Sequence, residues 1–305
     1  MDNDNLFLVK YVTSGGTVGF GLEDGDGLRP LGQQTSTAEQ MDWLDWLLSS
    51  APDAPPADNL IVGLRPAATA PIDRSSVTLP PLCGKQEVWA AGVTYKRSEE
   101  AREAESNNSS VYSRVYNSDR PELFFKAMGN DVVGPNQPVG IRYDATWSVP
   151  EPELVVVLNC EMEVIGFTIG NDMSSRDIEG ANPLYLPQAK VYEGSCALGP
   201  RLWLQPGRTT WPDVKIELKI ERGGQIAFSD ATSTSNIHRP LTELIDYLGR
   251  CKRFQHGVML FTGTGIVPPD SFTLAEGDIV RIRIDPIGEL VNSVRVVSKI
   301  KEVTA

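Results

Sequence analysis

Apolar, β-rich runs recur along the chain at residues 88–93, 154–158, 164–169, 214–220, 279–284 and 290–297, with many glycines and prolines between them. Runs of that length and composition predict short strands. Two more are predicted at 6–11 and 17–22, followed by the turn-rich Glu23-Asp24-Gly25-Asp26-Gly27, so the chain opens on hairpins. Helical spacing is rarer. Met41, Leu44, Trp46 and Leu47 give residues 37–50 an amphipathic pattern with Ser36 or Thr37 as N-cap, and residues 241–248 and parts of 98–117 also read as helix. Prolines crowd the chain from Pro52 to Pro81, which places a boundary at about residue 75. The expected class is α+β and β-dominated, with a small N-terminal α+β domain over residues 1–75 and a larger β-rich domain with long loops over residues 76–305.

Composition narrows the function. At 305 residues with 41% hydrophobic and 22% charged positions, the chain can bury a substantial core and is too apolar for extended disorder. Its formal charge of −12 repels nucleic acid and anionic lipid, so neither is an expected partner, and an anionic substrate needs locally placed cations. The first ten residues lack the layout of a secretory signal, and no run approaches membrane-spanning length. Cys83, Cys160, Cys196 and Cys251 lie far apart without a C-x-x-C pair, which fits reduced thiols and a cytoplasmic location. With only His238 and His256, both expected in loops or at the surface, polar catalysis falls to carboxylates, Lys, Arg, Tyr and Thr.

The informative stretch is Trp147-Ser148-Val149-Pro150-Glu151-Pro152-Glu153, which leads into an apolar run. Pro150 and Pro152 push the residues before them into extended conformations, so Glu151 and Glu153 project to one side at the mouth of a buried strand. A third acid, Asp172, follows the next strand. Crowded carboxylates need a cation or a shared proton, and three of them without His or Cys suit Mg²⁺, Mn²⁺ or Ca²⁺. Spacing alone leaves open a solvated strand edge paired with arginines.

From about residue 87 to 294 the chain resembles the fumarylacetoacetate hydrolase superfamily. The likeness is carried by Glu151-Pro152-Glu153, the segment from Asn171 through Asp172 and Arg176 to Asp177, Lys190, and Gly263-Thr264. It implies a mixed-sheet β-roll, a homodimer or homotetramer, and one Mg²⁺ (or Mn²⁺ or Ca²⁺) held by Glu151, Glu153 and Asp172. Arg176, Lys190 and Thr264 would then contact substrate. Within the superfamily, residues 120–127, 147–153 and 179–190 are similar to dehydratases of 2-keto-3-deoxy sugar acids. That likeness puts Glu122 and Lys190 at the reacting centre and implies conversion of a 2-keto-3-deoxypentonate to 2,5-dioxopentanoate. Glu179 and Tyr95, in the shared stretches, are expected among the substrate-binding residues, and Lys126 is read from its charge either as screening a substrate carboxylate or as a cation that merely snorkels.

Two alternatives belong to other classes. An acylpyruvate-type carbon–carbon hydrolase would carry a water-activating His three residues after a Tyr; aligning Tyr95 there puts Ser98 in its place. An inactive sugar-acid binding protein would not need Glu122, Lys190 and Thr264 together with all three ligands. Phe124 and Phe125 are expected in the core, Asp177 is expected to orient Arg176 or cap a turn, and 98–117 could serve as a lid or be a plain surface excursion.

Overall fold

A computed structural model describes residues 5–32, 42–49, 64, 70–97, 100 and 114–299. Strand β9 (Pro152–Leu158) is buried along its whole length, and the fold is organised by the covering of its two faces. It runs through the middle of a large sheet whose order is β3 (Gly27–Pro30), β2 (Val18–Asp24), β1 (Phe7–Thr13), β12 (Cys196–Leu204), β10 (Val164–Asp172), β9, β15 (Val258–Phe261), β5 (Glu87–Gly92) and β6 (Glu122–Met128). The short β4 (Val77–Thr78) joins on β1. Most pairs are antiparallel, but β15 and β5 run parallel, so the sheet is mixed.

One face of β9 presents Leu154, Val156 and Leu158 to a second sheet, ordered β14 (Gln225–Ser233), β13 (Lys215–Arg222), β16 (Ile279–Ile284), β17 (Gly288–Val297) and β7 (Val139–Arg142). Ile216, Leu218 and Ile220 of β13 alternate inward while Lys215 and Lys219 face out, the period-two pattern of a half-buried strand. The opposite face of β9 gives Val155 and Val157 to α1 (Trp43–Leu48), whose Leu44, Leu47 and Leu48 are buried against them. Each such side chain contributes about 1.5–3 kcal/mol by leaving water. Asp42 caps α1 by accepting the Asp45 N–H at 2.8 Å.

The helix expected over 241–248 is α4 (Leu241–Gly249), anchored through Leu241, Leu244 and Leu248. Two further helices are short: α2 (Arg176–Ala181) and α3 (Leu186–Lys190). A two-strand pair, β8 (Ser148–Val149) with β11 (Ser174–Ser175), packs against them. The N-terminal strands continue the large sheet, because Phe7 and Leu8 of β1 pair with Trp203 and Leu202 of β12. Most of the proline-rich tract, residues 37–41 and 50 of the helix expected at 37–50, and most of 98–117 including Ser98 lie outside the described residues. Among the described residues, no helix is long and apolar enough to cross a membrane.

Candidate active site

The site forms where β9 begins and β10 ends. Glu153 enters β9 directly opposite Gly170 of β10, and the Asp172 N–H donates to the Glu151 carbonyl at 3.0 Å, so backbone pairing brings the three acids together. One carboxylate oxygen from each lies within 4.8 Å of those from the other two. All three are buried. Glu153 accepts the Gly263 N–H at 2.6 Å. Gly263 follows β15 with φ of +88°, a left-handed turn in which a β-carbon would strike the Thr94 hydroxyl, so glycine is required for that donor to face Glu153.

Cations stand around the acids at different depths. The Lys190 ammonium lies 2.7 Å from Glu151 Oε2 and 3.1 Å from Asp172 Oδ2. Lys126, fully buried, takes the other side of Asp172: its ammonium is 2.6 Å from Oδ1 and also donates to the Met173 carbonyl at 3.0 Å and the Lys190 carbonyl at 2.5 Å. Arg176 pairs with Glu179 at 3.2 Å and reaches Glu151 at 3.5 Å, and Ser174 donates to Glu179 at 3.1 Å. Among the described residues, no cation pairs with Glu153. Burial, and then the charges of Asp172 and Glu151, push its carboxyl well above the usual carboxylate range, against the opposing pull of Lys190 and the Gly263 N–H.

A narrow pocket opens beside the triad. Glu122, Glu179, Lys190 and Thr264 line it together with Glu151, Glu153 and Asp172, as do Gly92, Val93, Phe124 and Leu186. Of the residues expected at the site, Lys126, Arg176 and Tyr95 stand outside that lining. Lys126 and Arg176 lie behind the carboxylates, their charged ends occupied as described. Tyr95 is 1% exposed, lies against Gly265, and its hydroxyl finds no hydrogen-bond partner among the described residues; burial, then the Glu153 charge, raises its pKa.

Several other expectations have definite outcomes. Asp177 accepts the Thr146 N–H at 2.7 Å and the Thr146 hydroxyl at 2.8 Å, so it ties the start of α2 to the loop before β8 rather than capping a turn of its own. His238 is exposed and stacks on Tyr116 at 4.7 Å. Phe124, expected in the core, is only partly buried and faces the pocket with Lys190 5.8 Å from its ring centroid. Its position two residues after Glu122 on one strand is the signal that could have placed it there. Gly92 and Val93 were not anticipated. Val93 has φ of +51°, a strained value for a β-branched residue, at the point where the chain leaves β5 along the pocket wall.

The donor set fits a hard divalent cation. Three buried carboxylates without nitrogen or sulfur suit such an ion: Lys190, Lys126 and Arg176 already pair with Glu151 and Asp172, but Glu153 has a single backbone donor and stands beside two like charges that a cation would offset. Fold and site thus define a β-roll enzyme centred on a carboxylate triad. Residues 87–295 match the family model described as Fumarylacetoacetate (FAA) hydrolase C-terminal, and the chain belongs to that family. Its relatives include a probable 2-keto-3-deoxyxylonate dehydratase of Haloferax volcanii, 45% identical over 230 residues and 75% of each chain. A 2-dehydro-3-deoxy-D-arabinonate dehydratase of Saccharolobus solfataricus is 41% identical over 214 residues, 68% of this chain and 72% of that one. A solved structure of 2-keto-3-deoxy-D-arabinonate dehydratase complexed with magnesium and 2,5-dioxopentanoate has a TM-score of 0.77 at 30% identity, covering 97% of this chain and all of that one.

Proposed function

We propose that this chain is a hydro-lyase that removes water from a 2-keto-3-deoxypentonate to give 2,5-dioxopentanoate. The observation that carries the reading is a single pocket in which Glu122 and Lys190 accompany the carboxylate triad. Relatives at 41–45% identity are named as dehydratases of such acids, and one solved neighbour holds magnesium and the dioxo product. Mg²⁺ is the proposed native ion, with Mn²⁺ or Ca²⁺ as substitutes, held by Glu151, Glu153 and Asp172. A bound divalent cation polarises the keto group of a 2-keto acid, which acidifies carbon 3 and offsets negative charge developing beside it.

The chain's own residues then divide the proton transfers. Lys190, as the free amine favoured when burial beside a bound divalent cation disfavours its charged form, takes the carbon 3 proton and Glu122 gives a proton to the carbon 4 hydroxyl, so one water leaves and a double bond forms between carbons 3 and 4. Shifting that unsaturation towards carbon 5 gives an enol, and its tautomer is the aldehyde. Thr264, on the pocket wall, is proposed as a hydrogen-bond partner of the substrate carboxylate, and Glu179 of a substrate hydroxyl. Lys126 and Arg176 are proposed to act from behind by holding Asp172, Glu151 and Glu179 in place, and Tyr95 by packing beneath the Gly263–Gly265 turn.

The test is incubation with a panel of 2-keto-3-deoxy acids and Mg²⁺, reading aldehyde formation. Release of 2,5-dioxopentanoate from a pentonate supports the reading. Cleavage of an acylpyruvate, with no aldehyde from any keto-deoxy acid, would replace it with the hydrolase alternative. A homodimer or homotetramer in a reducing cytoplasm completes the proposal. It is supported by exposed Leu184, Tyr185 and Val191 near the pocket and by cysteines with no disulfide among them, and sedimentation checks the assembly.

A further inference from the structure

The pocket wall opposite the triad raises the question of how Glu122 keeps its orientation. β5 and β6 are antiparallel neighbours, and Gly92 stands directly across from Glu122 in their register. Side chains of such a pair rise from the same face of the sheet, ordinarily with their β-carbons about 4.5–5.5 Å apart. Gly92 has no β-carbon, and the Glu122 side chain lies over its α-carbon. A methyl group added there would meet Glu122 Oε2 first, then Cδ at 2.7 Å and Cγ at 3.3 Å. Those three atoms belong to one flexible side chain, and backbone is not among them. Gly92 is also absent from the residues with a left-handed φ, so its conformation is open to alanine. A glycine inside a strand weakens it, and nothing in the backbone of β5 requires one here.

We infer that Gly92 is the positioning residue for the Glu122 carboxylate: the missing β-carbon is the seat on which that side chain lies, and this turns the carboxylate into the pocket shared with Lys190 and the triad. The inference rests on the reading of Glu122 as proton donor. Gly92 itself touches no reacting atom. Its effect on the reaction passes wholly through Glu122, and this separates it from a residue that merely shapes the pocket.

The test is a double-mutant cycle on the full chain with Gly92→Ala, Glu122→Ala and the pair. It measures kcat and KM for a 2-keto-3-deoxypentonate at saturating Mg²⁺, Mg²⁺ affinity by calorimetry, and the unfolding midpoint. Gly92→Ala is expected to lower kcat by about 10²-fold, the usual result of displacing a catalytic group by about 1 Å, with Mg²⁺ affinity and unfolding midpoint unchanged. In the Glu122→Ala background the same substitution should leave kcat unaltered. If Glu122→Ala retains wild-type turnover, the proton-donor reading falls and takes this inference with it. If Glu122→Ala is impaired while Gly92→Ala is normal, or if Gly92→Ala costs the same factor in both backgrounds, the inference alone is overturned. Should Gly92→Ala prove insoluble, the double variant decides, because it removes the atoms in conflict: a soluble double variant supports the assignment and an insoluble one defeats it.

Discussion

Glu23 and Glu153 are buried carboxylates of the same large sheet, yet their surroundings are opposite in sign. Glu23, on β2 near the edge, lies 3.1 Å from the Arg74 guanidinium and 2.5 Å from that of Arg201, which also donates to the Ile287 and Pro286 carbonyls. Its charge is more than matched. Glu153, at the pocket end of β9, has one backbone N–H at 2.6 Å and two carboxylates as near neighbours, and Lys190, which pairs with those two rather than with Glu153, offsets them only in part. Asp278 follows the first pattern, taking Arg222 on both oxygens at 2.8 Å. A buried acid is therefore not in itself a sign of function. One left among like charges is, because folding alone gains nothing from that arrangement.

The contrast predicts that variants at the pocket end change chemistry or ion binding with little change in folding, whereas edge variants do the reverse. The largest expected effect is at Glu122. Glu122→Gln should lower turnover by roughly 10²–10⁴-fold while leaving Mg²⁺ affinity and the unfolding midpoint in place. Steady-state kinetics beside calorimetry would show it, and near-normal turnover would remove Glu122 from the mechanism. Lys126 sits between the two regimes, since it is as buried as a structural ion pair yet touches Asp172. Lys126→Met leaves Asp172 short of a partner and two carbonyls without a donor. It should cost about 3–5 kcal/mol in denaturant unfolding and weaken Mg²⁺ binding by about 10-fold. If it instead folds normally and only loses affinity for pyruvate, Lys126 is a substrate contact.

Lys126 also marks where sequence reasoning meets its limit. The substrate role expected of Lys126 came from its charge; strict alternation along β6 would also give Glu122, Phe124 and Lys126 one face. The ladder does not alternate strictly: Phe125 pairs with Trp89 and Ala127 with Val88, so Lys126 is the extra residue of a bulge and is swung behind Asp172. Glu151 and Glu153 were legible as a side-by-side pair because two prolines bracket Glu151 and fix its extended backbone, which is local information, whereas joining Asp172 to them as one ligand set needed the family resemblance. Continuity of β1 with β12 was not legible, since the pairing joins residues nearly two hundred positions apart that carry no local sign of each other. Strand β12 is further hidden by Pro200 in its interior, and β14 by polar residues suited to an exposed edge.

A sharper form of the comparison removes one charge from each region. Glu153→Gln should weaken Mg²⁺ binding by about 10²-fold or more, because a ligand is lost outright. The metal-free variant should unfold no more easily than the parent, because the group removed is held among like charges. Equal Mg²⁺ affinity in calorimetry would show that the ligand set is wrongly assigned, and a large loss of metal-free stability would show that Glu153 is a structural acid like Glu23.

The smallest expected effect is the mirror experiment, Glu23→Gln. The amide oxygen can still accept one guanidinium hydrogen bond, so the loss is that of charge assistance and of one partner for Arg74 or Arg201. Hydrogen bonds to charged groups contribute about 1.5–3 kcal/mol. The Arg74 and Arg201 side chains are 35% and 22% exposed, so solvent screens part of the pair, and about 1–2 kcal/mol is the expected loss in denaturant unfolding. Mg²⁺ affinity and turnover should not move. Four interstrand steps separate β2 from β9, on the order of 19 Å at about 4.8 Å each, which exceeds both the screening length of physiological salt and the range over which substitutions usually couple. If Glu23→Gln weakened Mg²⁺ binding as much as Glu153→Gln does, the edge and the pocket would be one electrostatic unit, and the difference between a matched acid and an unmatched one would no longer locate the site.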